Sequence, residues 1–581
     1  MELNIADMCA AIAQAYPDRD ALLFRDRRLC WAQVDARAAA FAETLHGVRP
    51  GRRRVFEGAN GWESTQEHVA LYLHNGNEYL EAMLGAWQAS WAPVNINYRY
   101  LAAELTYVLA DSRARVLVFH SAFAPLVQEV RAGLEHLEAL IQVADESSND
   151  LVDGARWYED VVTQPASEAL RARLADERSG DDLYVCYTGG TTGLPKGVLW
   201  RQADFVVSAL GLRRKDRTDF DSIDEIVAAA EHSRLRALPA PPLMHGAAHW
   251  NALSCWLGGG TVIIQDHPEH FDAADVLDCV ERHRVTSLLI VGDSFARPLL
   301  DQLEASRRAG RPRDMSSLRH LLSGGAVLSP HVKAELLGAL DGVTIVDVLG
   351  SSESGRQAVA TSAVASSAAA PGPSPAGPSP AGPPPAGPSA TGPSTTGFRS
   401  ESTAVVLADG LDRPLNADDP ADVGVAGWLA QTGRMPLGYL GDEAKTAATF
   451  PVIGGVRHGV AGDRAALRTD GTIELLGRDS VCINTGGEKV FAEEVEVALT
   501  AHRAVTDAIV CGRASERWGS EVVAVVSLRP DATVSDDELI AHVKARLASY
   551  KAPKSIVRVA GVRRSPSGKP DYAWARSLAE G

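Results

Sequence analysis

The chain has 581 residues, too many for one hydrophobic core, so it should divide into several domains. With 45% hydrophobic and 23% charged residues it has the composition of a globular enzyme, which excludes a disordered tail and a membrane-embedded protein. Fifty-seven Lys and Arg against 74 Asp and Glu give a formal charge of −17. This argues against general binding to nucleic acid or anionic membranes, and any polyanionic ligand must find a local basic site.

In chain order, Met1 to Asp7 shows no basic leader ahead of an apolar run, and no apolar stretch reaches the length of a membrane span. The expectation is a cytoplasmic protein without a transmembrane segment. Seven cysteines (Cys9, Cys30, Cys186, Cys255, Cys279, Cys482, Cys511) are scattered and form no C-x-x-C pair, as in a reducing compartment without a zinc site or disulfide framework. Apolar, β-branched runs at Ala114 to His120, Leu183 to Cys186, Thr261 to Gln265 and Thr286 to Gly292 read as strands, and Asp275 to His283 reads as a helix between them. The alternation predicts an α/β fold with largely parallel sheets.

From Pro371 to Gly397 the composition turns to Pro, Gly, Ser, Ala and Thr, with a glycine every fifth residue from Gly372 to Gly397. Such a segment buries too little to offset its ordering entropy, so it reads as a solvated insertion. Docking of a proline-recognising partner is the competing reading. Past Gly477 the pattern becomes helix (Glu493 to Thr500), strand (Asp507 to Gly512), strand (Glu521 to Leu528) and helix (Ser535 to Ser549), a small α+β unit. The boundary is placed at Arg478 and Asp479, giving domains 1–478 and 479–581.

The sharpest local signal is the run Thr188, Gly189, Gly190, Thr191, Thr192, Gly193, Leu194, Pro195, Lys196 after an apolar strand. Glycines let the backbone curl so that amides and Thr hydroxyls converge on phosphate oxygens, and Lys196 adds a point charge. The spacing is not that of a Walker A loop. By itself the run also fits a Gly/Thr-rich turn with an exposed lysine.

With this loop the chain resembles the adenylate-forming superfamily of acyl-CoA synthetases, luciferases and adenylation domains. Further motifs follow in the family's order: Pro242 to Gly246, Ser323 to Ala326, Gly350 to Glu353, Gly424 to Gly427, Gly438-Tyr439, Gly462-Asp463, Gly477 to Asp479, Ile483 to Val490 and Ser567 to Pro570. The resemblance implies a large N-terminal domain of stacked α/β subdomains with a small mobile α+β C-terminal lid. It also implies an ATP-dependent ligase that activates a carboxylic acid as an acyl-adenylate, releases pyrophosphate and passes the acyl group to coenzyme A.

Residue by residue, the resemblance assigns Thr188 to Lys196 to the phosphates, Gly325, Ala326, Gly350, Ser351 and Ser352 to the nucleotide, and Glu353 to catalysis and Mg2+. Asp463 takes the ribose hydroxyls and Arg478 supports the nucleotide. Gly486 and Gly487 line the pantetheine channel, and Asp479 is the hinge. His245 orients the carboxylate or gates the channel, with His249 and Trp250 beside it. Lys569 is the essential catalytic residue. Without the resemblance, Glu353 reads as solvated, Asp463 with Arg478 as a surface ion pair, Gly486-Gly487 as a hairpin turn, and Lys569 as part of a basic patch with Arg563 and Arg564.

Leu349 stands where many relatives carry a tyrosine that stacks on adenine, and Ser352 where they carry threonine. The combination of Gly350 to Gly355 with Cys482 to Phe491 resembles a bacterial subgroup acting on fatty and sterol side-chain acids, so a hydrophobic acid is expected. The resemblance allows a homodimer. Two other readings compete: an enzyme that loads a carrier protein in trans, and an inactive scaffold using its proline-rich segment.

Overall fold

A computed structural model describes the chain except for residues 1, 52–59, 189–193, 364–397, 401–402, 486–487, 516–517, 531, 567 and 581. The proline-rich stretch 371–397 therefore lies outside the described residues.

Two large sheets build the N-terminal body. One has five strands, all parallel, in the spatial order Ala92–Asn95, His68–Tyr72, Val116–His120, Ala139–Val143 and Ala155–Trp157. The other has nine. Its six central strands are parallel, running from Thr344–Ser351 through His320–Gly324, Ser287–Ile290, Arg236–Pro239 and Thr261–Ile264 to Asp20–Phe24. Antiparallel strands close its two edges.

The predicted helix 275–283 is Ala273–His283, and it starts where Asp272 accepts hydrogen bonds from the Ala274 and Asp275 amides. It returns the chain from strand 261–264 to the parallel strand 287–290, which lie on either side of strand 236–239, as a crossover must. Smaller antiparallel sheets complete the body: Leu183–Thr188 with Lys196–Arg201 and Gly438–Tyr439, and a four-stranded sheet ending in Gly459–Leu467 and Ile473–Arg478. The expectation of largely parallel sheets thus describes the two large layers and not the sheets that carry the motif loops.

In the lid, Val505–Ser515 pairs antiparallel with Gly519–Leu528, which pairs parallel with Ser555–Val559. Alternation divides the apolar residues cleanly. Ala508, Val510, Val522, Ala524 and Val526 pack under the helices Ala492–Thr500 and Asp536–Lys544, while Ile509, Cys511, Val523 and Val525 pack against Tyr572–Glu580. Both faces are covered, so the run Val522 to Val526 is continuously apolar. The helix read as Ser535 to Ser549 ends at Lys544. Beyond it the Arg546 and Leu547 amides turn back onto the Val543 carbonyl, and Ala552, ahead of Pro553, is extended.

Candidate active site

Thr188 and Lys196 face each other at the end of the hairpin of strands 183–188 and 196–201. Gly189, Gly190, Thr191, Thr192 and Gly193 lie outside the described residues. The Lys196 ammonium is 3.3 Å from Asp442. Burial works to lower its pKa, but Tyr107, Asp442 and Asp111 outweigh it and keep the group above the ordinary lysine value.

Glu353 tips a second hairpin, between strands 344–351 and 355–362. The turn is tight. A Cβ on Gly350 would lie 2.2 Å from the Gly355 carbonyl oxygen, and Gly355 has φ +69°. Ser351 braces it, its Oγ accepting from the Glu353 amide (3.2 Å) and meeting Ser354 Oγ (2.8 Å). The Ser352 carbonyl accepts from Trp200 Nε1 (2.9 Å), and Ser352 Oγ is 3.9 Å from Cys186 Sγ, which ties this turn to the first hairpin. Tyr439, on the third strand of that sheet, donates its hydroxyl to Glu353 Oε1 at 3.0 Å.

Asp463 and Arg478 are register partners on adjacent strands, and Arg478 Nε donates to Asp463 Oδ1 at 3.2 Å. Asp463 is buried, which raises its pKa, while Arg478 acts the other way. Asp479 opens the short turn Asp479–Val481. Gly486 and Gly487 lie outside the described residues, although the strands flanking them pair Thr485 with Glu488.

Lys569 reaches this group from the lid. Its turn is held by Ser565 N to Lys569 O (2.8 Å), Lys569 N to Ser565 Oγ (3.1 Å) and Arg564 Nη1 to Gly568 O (3.0 Å). Gly568 has φ +72°, and a Cβ there would meet Ser294 Oγ at 2.5 Å and Val291 at 3.0 Å, so the turn nests against the body. Although the residue as a whole is exposed, its ammonium end is turned in towards Arg478, Glu353, Cys186 and Asp463. Burial of the ammonium and Arg478 bring its pKa below the ordinary lysine value, against the pull of the two carboxylates and Cys186.

His245 is the N-cap residue of helix Gly246–Leu257, and its Nε2 is buried without a hydrogen-bond partner. Burial, then Lys569, His249 and Arg99, push its pKa down to about 3, so the ring is neutral at pH 7. His249 is a core histidine. Its Nδ1 meets the Leu243 carbonyl at 2.7 Å, its Nε2 pairs with the Tyr184 hydroxyl, and Trp250 Nε1 donates to that same hydroxyl at 2.6 Å.

Gly325, with φ +86°, and Ala326 follow strand 320–324 beside Val291. Leu349 packs in a core with Ala358, Val406, Leu429 and Ala465, which answers to the loss of a polar aromatic at that position. The residues that sequence reasoning missed are Tyr107, Asp111 and Asp442 around Lys196, and Cys186 beside Ser352. Tyr439 lay in a recognised motif without an assigned role.

The group so assembled is a lysine at the end of a hairpin, a glutamate, an aspartate–arginine pair and a lysine brought in by a second domain. It can hold a nucleoside polyphosphate and place a cation where its charge shifts. The model of the family described as AMP-binding enzyme matches residues 9–390, and that of the AMP-binding enzyme C-terminal domain matches 494–569. The medium-chain acyl-CoA ligase Mig of Mycobacterium avium is 46% identical over 586 residues, covering 99% of this chain and 98% of that protein. The 3-oxocholest-4-en-26-oate–CoA ligase of Rhodococcus rhodochrous is 37% identical, covering 99% of this chain and 96% of that one. Among solved structures, the anthranilate CoA ligase AuaEII in complex with anthranoyl-AMP superposes with a TM-score of 0.75 at 22% identity, covering 100% of this chain and 98% of that one.

Proposed function

The chain belongs to the family of AMP-binding enzymes, and from that premise we propose that it is an ATP-dependent acyl-CoA ligase acting on a hydrophobic acid of the medium-chain fatty or steroid-like class. A carboxylate is a poor electrophile. Its oxygen attacks the α-phosphorus of ATP and pyrophosphate leaves. The coenzyme A sulfur then attacks the acyl carbonyl of the adenylate, loses its proton and expels AMP. The observation that carries the reading is the arrival of Lys569 from the lid beside Glu353, Asp463 and Arg478 of the body.

Each residue has a part that its surroundings suit. Lys196 and the Gly/Thr-rich run hold the β and γ phosphates. Asp463, with two acceptor oxygens steadied by Arg478, takes the ribose hydroxyls. Lys569 neutralises charge that shifts between the acid and the α-phosphate during adenylation. The Glu353 carboxylate, anchored through one oxygen by Tyr439, is a hard ligand that suits Mg2+, which when bound neutralises phosphate charge. A neutral His245 orients the acid and is not its base. The 46% and 37% identities to ligases of medium-chain and sterol side-chain acids support the acid class. The scattered cysteines support a reducing compartment, and the cytoplasm is the location proposed.

Pyrophosphate release tests this with octanoate, 3-oxocholest-4-en-26-oate, benzoate and no acid, each with and without coenzyme A. Release is expected to stop at one equivalent without coenzyme A and to run continuously with it for the first two acids. Release indifferent to the acid rejects the reading, and release limited to benzoate rejects the acid class.

A further inference from the structure

The chain passes from body to lid at Gly477, Arg478 and Asp479, and two charged residues outside the recognised roles grip it there from opposite sides. Arg464, on the body strand 459–467, is among the largest fully buried side chains. Its guanidinium lies 4.3 Å over the Trp428 ring and pairs with Asp409 at 2.6 Å, and its Nε is 4.0 Å from Asp479 Oδ1. Glu493, in the first turn of the lid helix Ala492–Thr500, accepts the Arg478 backbone N–H at 3.4 Å through Oε1. Its Oε2 presses on Gly477, where a Cβ would lie 2.4 Å from that oxygen, and Gly477 has φ +125°. The positive φ favours glycine there.

Resting on the reading of Asp479 as the hinge, we propose that Arg464 and Glu493 are positioning residues that clasp the hinge and hold the lid in the pose that forms the adenylate. Rotation about Asp479 carries Glu493 away with the lid while Gly477 and Arg478 stay with the body. The Arg478 N–H contact must then break. On the other side, Arg464 stays with the body while Asp479 turns. Neither grip is saturated: Arg464 Nε and Nη1 and Glu493 Oε2 are buried without a hydrogen-bond partner. Burying groups with unused hydrogen-bonding capacity costs free energy that offsets part of the gain, so the clasp favours this pose without locking it.

Because Arg478 also pairs with Asp463, the clasp fixes the backbone that carries the ribose-side ion pair. Its loss should therefore shift the balance between the two half-reactions, a change that simple destabilisation would not produce.

The test uses the full chain with Glu493→Ala, Glu493→Gln and Arg464→Met. Adenylation is read as octanoate-dependent exchange of pyrophosphate into ATP, and thioester formation from supplied octanoyl-adenylate and coenzyme A. For Glu493→Ala and Arg464→Met the ratio of adenylation to thioester formation is expected to fall about tenfold, with the second half-reaction unchanged or faster. Gln keeps the volume and an acceptor oxygen, and should hold the ratio within about threefold of the parent. An unchanged ratio in Glu493→Ala, equal loss of both half-reactions, or a Gln variant as impaired as the Ala one overturns the proposal. Asp479→Pro in the same assays separates the premise. If it leaves both half-reactions unaffected, the hinge reading fails. If it slows only the second while Glu493→Ala leaves the ratio unchanged, the clasp alone fails.

Discussion

Lys569→Ala removes the cation that, among the described residues, the lid brings to the body's nucleotide-side carboxylates, and its effect can be worked from the neighbours. Glu353, Asp463, Arg478 and Lys569 together carry no net charge, so the substitution leaves −1 where a carboxylate and a polyphosphate must meet. Two unit charges about 4 Å apart at an effective dielectric of about 20 interact by about 4 kcal/mol, and removing one aimed donor from a transition state costs about 10²- to 10³-fold in rate. Adenylation, measured as acid-dependent pyrophosphate exchange into ATP, should fall by that factor. Thioester formation from supplied acyl-adenylate should stay within about threefold, since on the hinge reading the lid turns and takes Lys569 away from the α-phosphate before that step.

The turn survives the change, because its ties run through the backbone of Lys569 and Gly568. The pKa direction adds a sign. The group acts as an ammonium and ionises below the ordinary lysine value, so adenylation by the parent should decline as pH rises, earlier than an ordinary lysine near 10.4 would dictate. In Lys569→Arg, whatever adenylation remains should lose that alkaline limb. Equal loss of both half-reactions in Lys569→Ala refutes the reasoning.

Asp479→Pro should slow thioester formation at least tenfold and affect adenylation far less, because proline is tolerated at the start of the turn Asp479–Val481 and fixes the φ a hinge must change, which outweighs loss of the carboxylate facing Arg464; single-turnover quench of both steps checks it. Replacing 371–397 by a Gly-Ser linker of equal length should leave kcat and KM within about twofold in steady-state assays, since a run of that composition contributes no core. Burial, followed by Glu493, pushes the Glu496 carboxyl up to about 8, with the Val510 N–H and Arg564 opposing. Its folded pKa thus exceeds its unfolded value near 4.5, so stability is lost as pH rises from there to about 8 and levels off above. Glu496→Gln should flatten that slope and raise Tm at pH 8 in thermal unfolding, while a slope unchanged by the substitution assigns it to another group.

What could be read from the residues, and what could not, divides on locality. The Thr188–Lys196 hairpin and the Gly350–Glu353 turn were legible because their chemistry is local: glycines, hydroxyls and a charge within a few positions, flanked by apolar strand residues. The partners of those charges were not. Lys196 meets Asp442, and Glu353 meets Tyr439, only because strand 438–439 adds to the edge of the hairpin, a pairing no local pattern announces. His249 was read beside the acyl pocket because it neighbours His245. His245 is the cap residue outside helix Gly246–Leu257, so helical spacing does not set His249 beside it, and His249 packs into the core against Tyr184.

Strand limits failed for a related reason. Asp507 to Gly512 was read from its apolar residues, yet the strand runs to Ser515, because Arg513 pairs with Glu521 across the hairpin and satisfies polar ends that look like turn residues.

The local cations that a chain at −17 needs are present, and they are already shared. Lys196 lies between Tyr107 and Asp442, Arg478 holds Asp463, and Lys569 feels Glu353 and Asp463. A free, uncompensated cluster of these groups would repel itself and destabilise the seam between body and lid. Paired as they are, they keep the seam neutral, and a phosphate that engages Lys196 must compete with Asp442 for it. Competition of that kind weakens binding but favours a ligand that presents several anionic oxygens at once over one that presents a single charge, because each displaced carboxylate needs its own replacement. The same pairing explains why the lid's cation matters most: Lys569 is the only member of the three whose position depends on a second domain, so its charge can be delivered for one half-reaction and withdrawn for the other.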